Sequence, residues 1–74
     1  MPIEWKQVLS SNVAEVGYDS ETQDLLIRWS KDGKTSAYAG VPPELAEQCS
    51  KAWSVGTFLN DEIKNNFPHR YVSI

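Results

Sequence analysis

The spacing of the apolar residues changes once along this chain, at a pair of prolines, and that change limits what the chain can fold into. Before Pro42 and Pro43, apolar residues occupy every second position of a segment, as at Leu25, Ile27 and Trp29, which is typical of strands. After the prolines, apolar residues recur every three or four positions, which is typical of helices. A length of 74 residues leaves room for one domain. The pattern therefore predicts a single α+β domain whose sheet precedes its helices.

Three strands are expected before the prolines, at residues 13–18, 25–29 and 35–39. The polar segment 19–23 predicts a hairpin loop, and Asp32-Gly33 supplies the residues that a tight hairpin turn requires. Such short loops join antiparallel neighbours, because a parallel pair needs a crossover of about a dozen residues. The apolar residues that share a face of the first two strands are Ala14, Val16 and Tyr18, followed by Leu25, Ile27 and Trp29.

Two helices are expected after the prolines, packed on one face of the three-stranded meander. Proline and Glu44 are both favourable in a first helical turn. The second helix is expected to start within Ser54–Thr57 and to reach about Asn65-Asn66 before Pro68 stops it. Residues 70–74 are β-prone, so they either add a short edge strand or lie across the helices. The residues expected to face the sheet are Leu45, Ala46, Cys49, Ala52 and Trp53, then Phe58, Leu59 and Ile63.

Charge and cysteine content exclude several classes of protein. The net charge of −3 has the wrong sign for holding nucleic acid by bulk charge, although residues 51–74 carry three basic and two acidic residues. The single cysteine, Cys49, allows no internal disulfide and is expected in the core. No apolar run approaches the length of a membrane span, and residues 1–5 show no signal-peptide core. We therefore expect a cytoplasmic protein.

Three blocks of the sequence resemble the KTSC domain, a family named for its place at the C-terminus of some lysyl-tRNA synthetases. The first block is Val8-Leu9-Ser10-Ser11-Asn12-Val13 with Val16-Gly17-Tyr18-Asp19, and the second is Tyr38-Ala39-Gly40-Val41-Pro42. The third is Ser54-Val55-Gly56-Thr57-Phe58-Leu59-Asn60, followed by Ile63-Lys64 and Phe67-Pro68. The resemblance covers about residues 8–72. It implies one KTSC-like domain at residues 8–74, preceded by an N-terminal extension at residues 1–7.

The resemblance also implies a biological setting and a ligand. Stand-alone members of the family are small proteins of bacteria and phages, so a phage-encoded chain is expected in the cytoplasm of its bacterial host. The synthetase context implies RNA binding. One departure bears on this: the first tyrosine of the family's Tyr-x-Tyr is replaced by Ser36, which shares a strand face with Tyr38. A paired aromatic platform is thereby reduced to a single ring.

The candidate site combines this ring, a helix start and nearby positive charges. Free N–H groups at a helix start suit a phosphate, and aromatic rings stack on bases. An ordinary helix cap explains the same serine and threonine without a ligand. Trp5 precedes the predicted strands and is either a lid or a contact for a partner. The candidate ligand-binding residues are Tyr38, Ser54, Gly56, Thr57, Lys51, Lys64 and Arg70.

No catalytic constellation stands out. His69 is the only histidine, and no nucleophile or second acid–base group is marked beside it. The histidine, cysteine and carboxylates show no metal-ligand spacing, so no metal or other cofactor is expected. The sequence thus predicts a non-catalytic binding module for RNA or another phosphate-bearing ligand. The alternative is a phage or accessory protein that self-associates or binds a protein partner through a sheet edge and Trp5, with no role in nucleic-acid binding.

Overall fold

A five-stranded antiparallel sheet with helices on one face makes up the protein. The structure is a computed structural model and describes residues 3–8 and 12–73. Within those residues the strands lie in the sheet in the same order as in the chain, so strands that pair with each other are consecutive in the sequence. The strands are β1 (Glu4–Gln7), β2 (Val13–Asp19), β3 (Asp24–Trp29), β4 (Thr35–Tyr38) and β5 (His69–Val72). The expected α+β class and the possible C-terminal edge strand are confirmed. The three strands of the expected meander are β2, β3 and β4, but the count was too low because β1 adds a further strand that the sequence did not predict.

The added strand β1 lies within residues 1–7, which the sequence assigned to an extension. It pairs with β2, and Trp5 stands directly opposite Gly17. Its other three residues are exposed, so this strand lacks the alternation of apolar and polar side chains that marked the strands after it. An edge strand with a single covered side chain has no apolar pattern that would identify it in the sequence. The sequence therefore did not predict β1.

A β-bulge at Ala14 changes which residues of β2 face the helices. Val13 pairs with Trp29 and Glu15 pairs with Arg28, so Ala14 is the extra residue. Val16 lies on the predicted face, whereas Ala14 is displaced from it. Val13 is fully buried in its place. In a regular strand Val13 and Val16 would face opposite sides of the sheet, because they are three positions apart. The extra residue at Ala14 places both valines in the core.

The helical half is shorter and less regular than the sequence predicts. Helix α1 (Pro43–Lys51) begins at the proline expected in its first turn. Helix α2 (Val55–Phe58) continues directly into a π-helical segment, Leu59–Ile63, in which the Lys64 N–H donates to the Leu59 carbonyl. The side chain of Asn66 donates to the Glu62 carbonyl and so satisfies part of the helix end.

Trp53 is the clearest error of the sequence-based core. It was expected on the apolar stripe of the first helix, yet its side chain is 100% exposed. The reason is that α1 ends at Lys51, and Ala52 has an extended backbone, with φ −63° and ψ 144°. The recurrence of apolar residues every three or four positions therefore does not place Trp53 on a helix face, because the helix has already ended. Trp29 and Phe58, the other aromatic residues expected in the core, are half-buried against it.

The core lies between the sheet and the helices. Its buried members are Val13, Val16, Leu25, Ile27, Tyr38, Val41, Ala46, Cys49, Val55, Leu59 and Ile63. The opposite sheet face has a smaller covered region, where Leu26 is buried between Gly17 and Ala37 on the neighbouring strands. None of the described helices is both long and apolar enough to cross a membrane.

Candidate functional site

Tyr38 lies inside the protein and not on a binding surface. Its side chain is 2% exposed and belongs to the core cluster. Ser36 and Tyr38 share the face that the helices cover, since they stand opposite Ile27 and Leu25 of β3. Burial raises the pKa of the Tyr38 phenol above its ordinary value, and neighbouring Tyr71 and Cys49 raise it further. The ring therefore offers no free face to a base.

A hydrogen-bonded cluster surrounds Ser36. The indole Nε1–H of Trp29 donates to Ser36 Oγ at 2.8 Å, and His69 Nε2 lies 3.1 Å from the same oxygen. A serine–histidine contact of this length is one element of a catalytic arrangement. Ser36, however, is only 1% exposed and its oxygen is occupied by the indole. The hydroxyl serves as a buried bridge between β3, β4 and β5.

A row of rings leads from this cluster to the surface. The ring of Tyr38 is 5.1 Å from that of His69, and His69 is 4.9 Å from Tyr71 in an edge-to-face arrangement. His69 and Tyr71 lie on the same face of β5, opposite Tyr38 and Ser36. The inner ring is buried and the outer one is 66% exposed. The aromatic surface that the sequence assigned to Tyr38 is therefore presented by Tyr71.

Two lysines lie beside this exposed ring. Lys34 Nζ is 5.7 Å from the centroid of Tyr71, within cation–π range. A groove of about 440 Å³ runs along one side of the ring past Lys34, and another of about 280 Å³ is lined by Tyr71, Trp29 and Lys31. Asp32 also lines the second groove. We call Tyr71, Lys34, Lys31, Trp29 and His69 the Tyr71 surface.

The lysines and the tyrosine are close because of a tight turn. Gly33, with φ +71°, allows the β3–β4 connection to reverse within a few residues. The backbone N–H of Lys34 donates to Asp32 Oδ1 at 3.0 Å, which fixes the loop. Strand β5 then pairs with β4 so that Val72 stands opposite Thr35. Tyr71 is thereby brought next to the turn.

The expected anion-binding residues are not brought together. Ser54 caps α2 by accepting from the Thr57 N–H, and its own hydroxyl donates to Thr57 Oγ1 at 3.1 Å. Lys51 pairs with Glu47 at 2.7 Å, on the preceding turn of α1. Arg70 lies on the helix-free face of the sheet and pairs with Asp24 at 3.0 Å.

The surroundings of the helix start do not favour an anion. The groove beside Ser54 and Thr57 is lined by Asp61 and Glu62 and by no lysine or arginine. Gly56 is half-buried, and a Cβ atom at its position would come no closer than 3.9 Å to Asn12. Lys64 is exposed at the end of the π-helical segment. Helix capping, which requires no ligand, therefore explains the serine and the threonine of this segment.

Trp5 is half-buried on the helix-free face of the sheet. Its ring lies against Gly17, where a Cβ atom would come within 2.7 Å of Trp5 Cε3. The guanidinium of Arg28 lies 4.4 Å from the ring centroid and also pairs with Glu15 at 2.6 Å. The ring is thus part of the sheet's covering and only partly available for contact.

Sequence reasoning missed the residues that form the exposed aromatic surface. From the sequence, His69 is a candidate only as an acid or base, and no motif marks Tyr71 or Lys34 for a site. The signal that identifies them is the alternation in the tail, where His69 and Tyr71 occupy one face and Arg70 and Val72 the other. That signal has meaning only once the tail is known to pair with β4.

A family model and a solved structure indicate the same family for this chain. The model of the KTSC domain matches residues 9–67. A protein from Tsukamurella paurometabola is 38% identical over 60 residues, which cover 81% of this chain and 88% of that protein. The crystal structure of a KTSC domain protein from Yersinia pestis has a TM-score of 0.88 and 30% identity, covering 97% of this chain and all of that one.

Proposed function

This chain belongs to the KTSC domain family, and we propose that it is a non-catalytic module that binds single-stranded RNA through the Tyr71 surface. The observation that supports the proposal is the exposed tyrosine ring with Lys34 Nζ at 5.7 Å. A base that stacks on such a ring contributes about 1–3 kcal/mol, whatever its identity. The lysines would pair with the phosphates on either side of that base.

Single-stranded RNA suits this surface better than a duplex does. Stacking requires bases that are free of partners, as in loops and unpaired segments. Lys31 and Lys34 face one carboxylate, that of Asp32, so the local excess of positive charge is small. We therefore expect weak, salt-dependent binding in which the ring and not the bulk charge supplies most of the affinity.

The non-catalytic part of the proposal rests on Ser36 and Cys49. The hydroxyl nearest to His69 is buried and accepts from Trp29, so a substrate could not reach it without the strands opening. Burial raises the pKa of the Cys49 thiol to about 12, which keeps it protonated and unreactive at neutral pH.

A direct test is the fluorescence anisotropy of a labelled short single-stranded RNA at low and high salt. We expect micromolar binding that weakens with salt. Tyr71→Ala should weaken it by about five- to a hundredfold, which is the loss of one stacked base. Lys34→Gln should reduce the salt dependence of log K by about 0.7, which is the loss of one phosphate contact.

The controls use the same changes elsewhere in the molecule. Lys6→Gln removes one exposed charge on β1, about 19 Å away across the sheet. Trp53→Ala removes another exposed ring. Neither should change RNA affinity. No salt-dependent binding at tens of micromolar, equal affinity of wild type and Tyr71→Ala, or equal affinity for adenosine monophosphate and the oligonucleotide would each contradict the proposal.

Self-association is the competing proposal, favoured by the position of β1 and β5 at the two edges of the sheet. The Ala39 N–H donates to the Pro68 carbonyl, so the alternation of an antiparallel ladder makes Ala37 and Arg70 the next hydrogen-bonded pair. The N–H and C=O of Tyr71 therefore point away from β4. Such an edge can accept a strand from a second chain. A dimer that grows with concentration in sedimentation velocity, and that RNA does not dissociate, would support this function over RNA binding.

A further inference from the structure

The indole of Trp53 is fully exposed in the connection between the two helices. It follows the end of α1 and precedes Ser54, the cap of α2. Burying a large aromatic side chain is worth roughly 1.5–3 kcal/mol, so leaving one fully exposed gives up part of the stability of a small domain. Tryptophan is over-represented among the residues that dominate protein–protein binding, so an exposed indole beside a groove is a candidate contact for a partner.

A groove of about 470 Å³ begins at this indole. Trp53, Ala52 and Phe58 all line it, and Phe58 is half-buried against the core. The groove is therefore apolar in its middle and attached to the helices that close the core. An apolar side chain of a partner that lies in this groove would contact aromatic carbon atoms.

The rim of the groove is negatively charged. Asp61 and Glu62 both line it, and no lysine or arginine does. Neither carboxylate forms an ion pair with any residue of the described ranges. A cation on a partner would find two carboxylates and the face of the Trp53 indole, which also attracts positive charge.

We propose that this groove binds a basic amphipathic peptide segment of a partner protein. An apolar side chain of the segment contacts Trp53 and Phe58, and its lysine or arginine side chains pair with Asp61 and Glu62. The overall charge of −3 adds long-range attraction for such a segment. Nucleic acid is disfavoured here because its phosphates would meet two carboxylates. A second copy would bring the same two carboxylates.

The test uses a labelled amphipathic peptide of leucine and lysine as the probe, in anisotropy titrations with the whole protein. Two further peptides separate the contributions: a leucine–glutamate version reverses the charge, and a lysine–serine version removes the apolar face. We expect the leucine–lysine peptide to bind at least about tenfold more tightly than either. Equal binding of the lysine–serine peptide would overturn the proposal, since charge alone would then suffice.

Variants locate the binding in the groove. Trp53→Ala should weaken binding of the leucine–lysine peptide about tenfold or more, and it should fold normally because the removed ring is fully exposed to water. Asp61→Asn combined with Glu62→Gln should weaken binding several-fold and flatten its salt dependence. Glu44→Gln, an exposed carboxylate in the first turn of α1, is the matched control and should change nothing.

Three results would overturn the proposal. The first is failure of the wild-type protein to bind the leucine–lysine peptide at low salt. The second is undiminished binding by Trp53→Ala when thermal melting shows both proteins folded. The third is a concentration-dependent dimer that Trp53→Ala abolishes, which would assign the groove to a second copy of this chain.

Discussion

Gly17 determines where the ring of Trp5 can lie. The two residues are directly opposite each other on β1 and β2, and the missing side chain of the glycine leaves the space that the indole occupies. A Cβ atom at Gly17 would come within 2.7 Å of Trp5 Cε3 and 2.8 Å of Ile3 Cγ2. The resemblance of the first block to its family includes this glycine, but the sequence did not indicate what the glycine accommodates.

Gly17→Ala is therefore expected to displace Trp5 and destabilise the domain by about 1–3 kcal/mol, the usual cost of overpacking. The measurement is urea unfolding of four proteins: wild type, Gly17→Ala, Trp5→Ala and the double variant. In the Trp5→Ala background the same substitution should cost clearly less, because only Ile3 still crowds the added methyl. Equal costs in the two backgrounds would show that the indole does not lie against Gly17.

Cys49 makes stability depend on alkaline pH. Its thiol has an ordinary pKa of 9.0, and burial raises this to about 12 in the folded protein. Between these values the unfolded chain loses a proton that the folded chain keeps, so the free energy of unfolding should fall as pH rises from about 9 to about 12. Tyr18 and Tyr38, whose pKa values burial also raises, act in the same direction above pH 10.

Cys49→Val keeps an apolar side chain in the core and removes the thiol. Denaturant unfolding at several alkaline pH values should therefore show a shallower fall in stability for the variant than for the wild type. Parallel pH profiles for the two proteins would mean that the thiol is accessible to water in the folded state.

The strands, loops and helices differ in how well the neighbouring residues predict them. The two loops of the meander were predictable because Asp32-Gly33 and the polar segment 19–23 encode their turns locally. The end of α1 was not, because neither glycine nor proline comes directly after Lys51 and the apolar spacing continues through Trp53. Strand β1 was missed because three of its four side chains are exposed.

The π-helical segment gives the element-level prediction. Ile63 is fully buried at its end, whereas Phe58, at the end of α2, is half-exposed. Ile63→Ala should cost about 2–5 kcal/mol of stability. Phe58→Ala should cost less, because part of the ring is already in water. Thermal or urea unfolding of both variants checks the order, and a larger loss for Phe58→Ala would contradict the packing described for this segment.

In the whole molecule, the candidate site depends on contacts between residues far apart in the chain. Tyr71 and Lys34 are 37 positions apart, and only the pairing of β5 with β4 brings them together. The sequence could indicate that aromatic and basic residues were present, but it could not rank Tyr38 and Tyr71. Both rings share one sheet face, and they differ in exposure because β4 is an inner strand and β5 is an edge strand. Nor could the sequence place Arg70, which the strand alternation directs to the opposite face, towards Asp24.

The most direct measurement is an NMR titration of the isotope-labelled protein with a short single-stranded RNA, following the amide and indole signals. Binding through the Tyr71 surface predicts shifts at Lys31, Lys34 and Tyr71 and at the indole of Trp29, with the indole of Trp53 unmoved. Shifts centred on Ser54–Thr57, or spectra unchanged at saturating RNA, would contradict it.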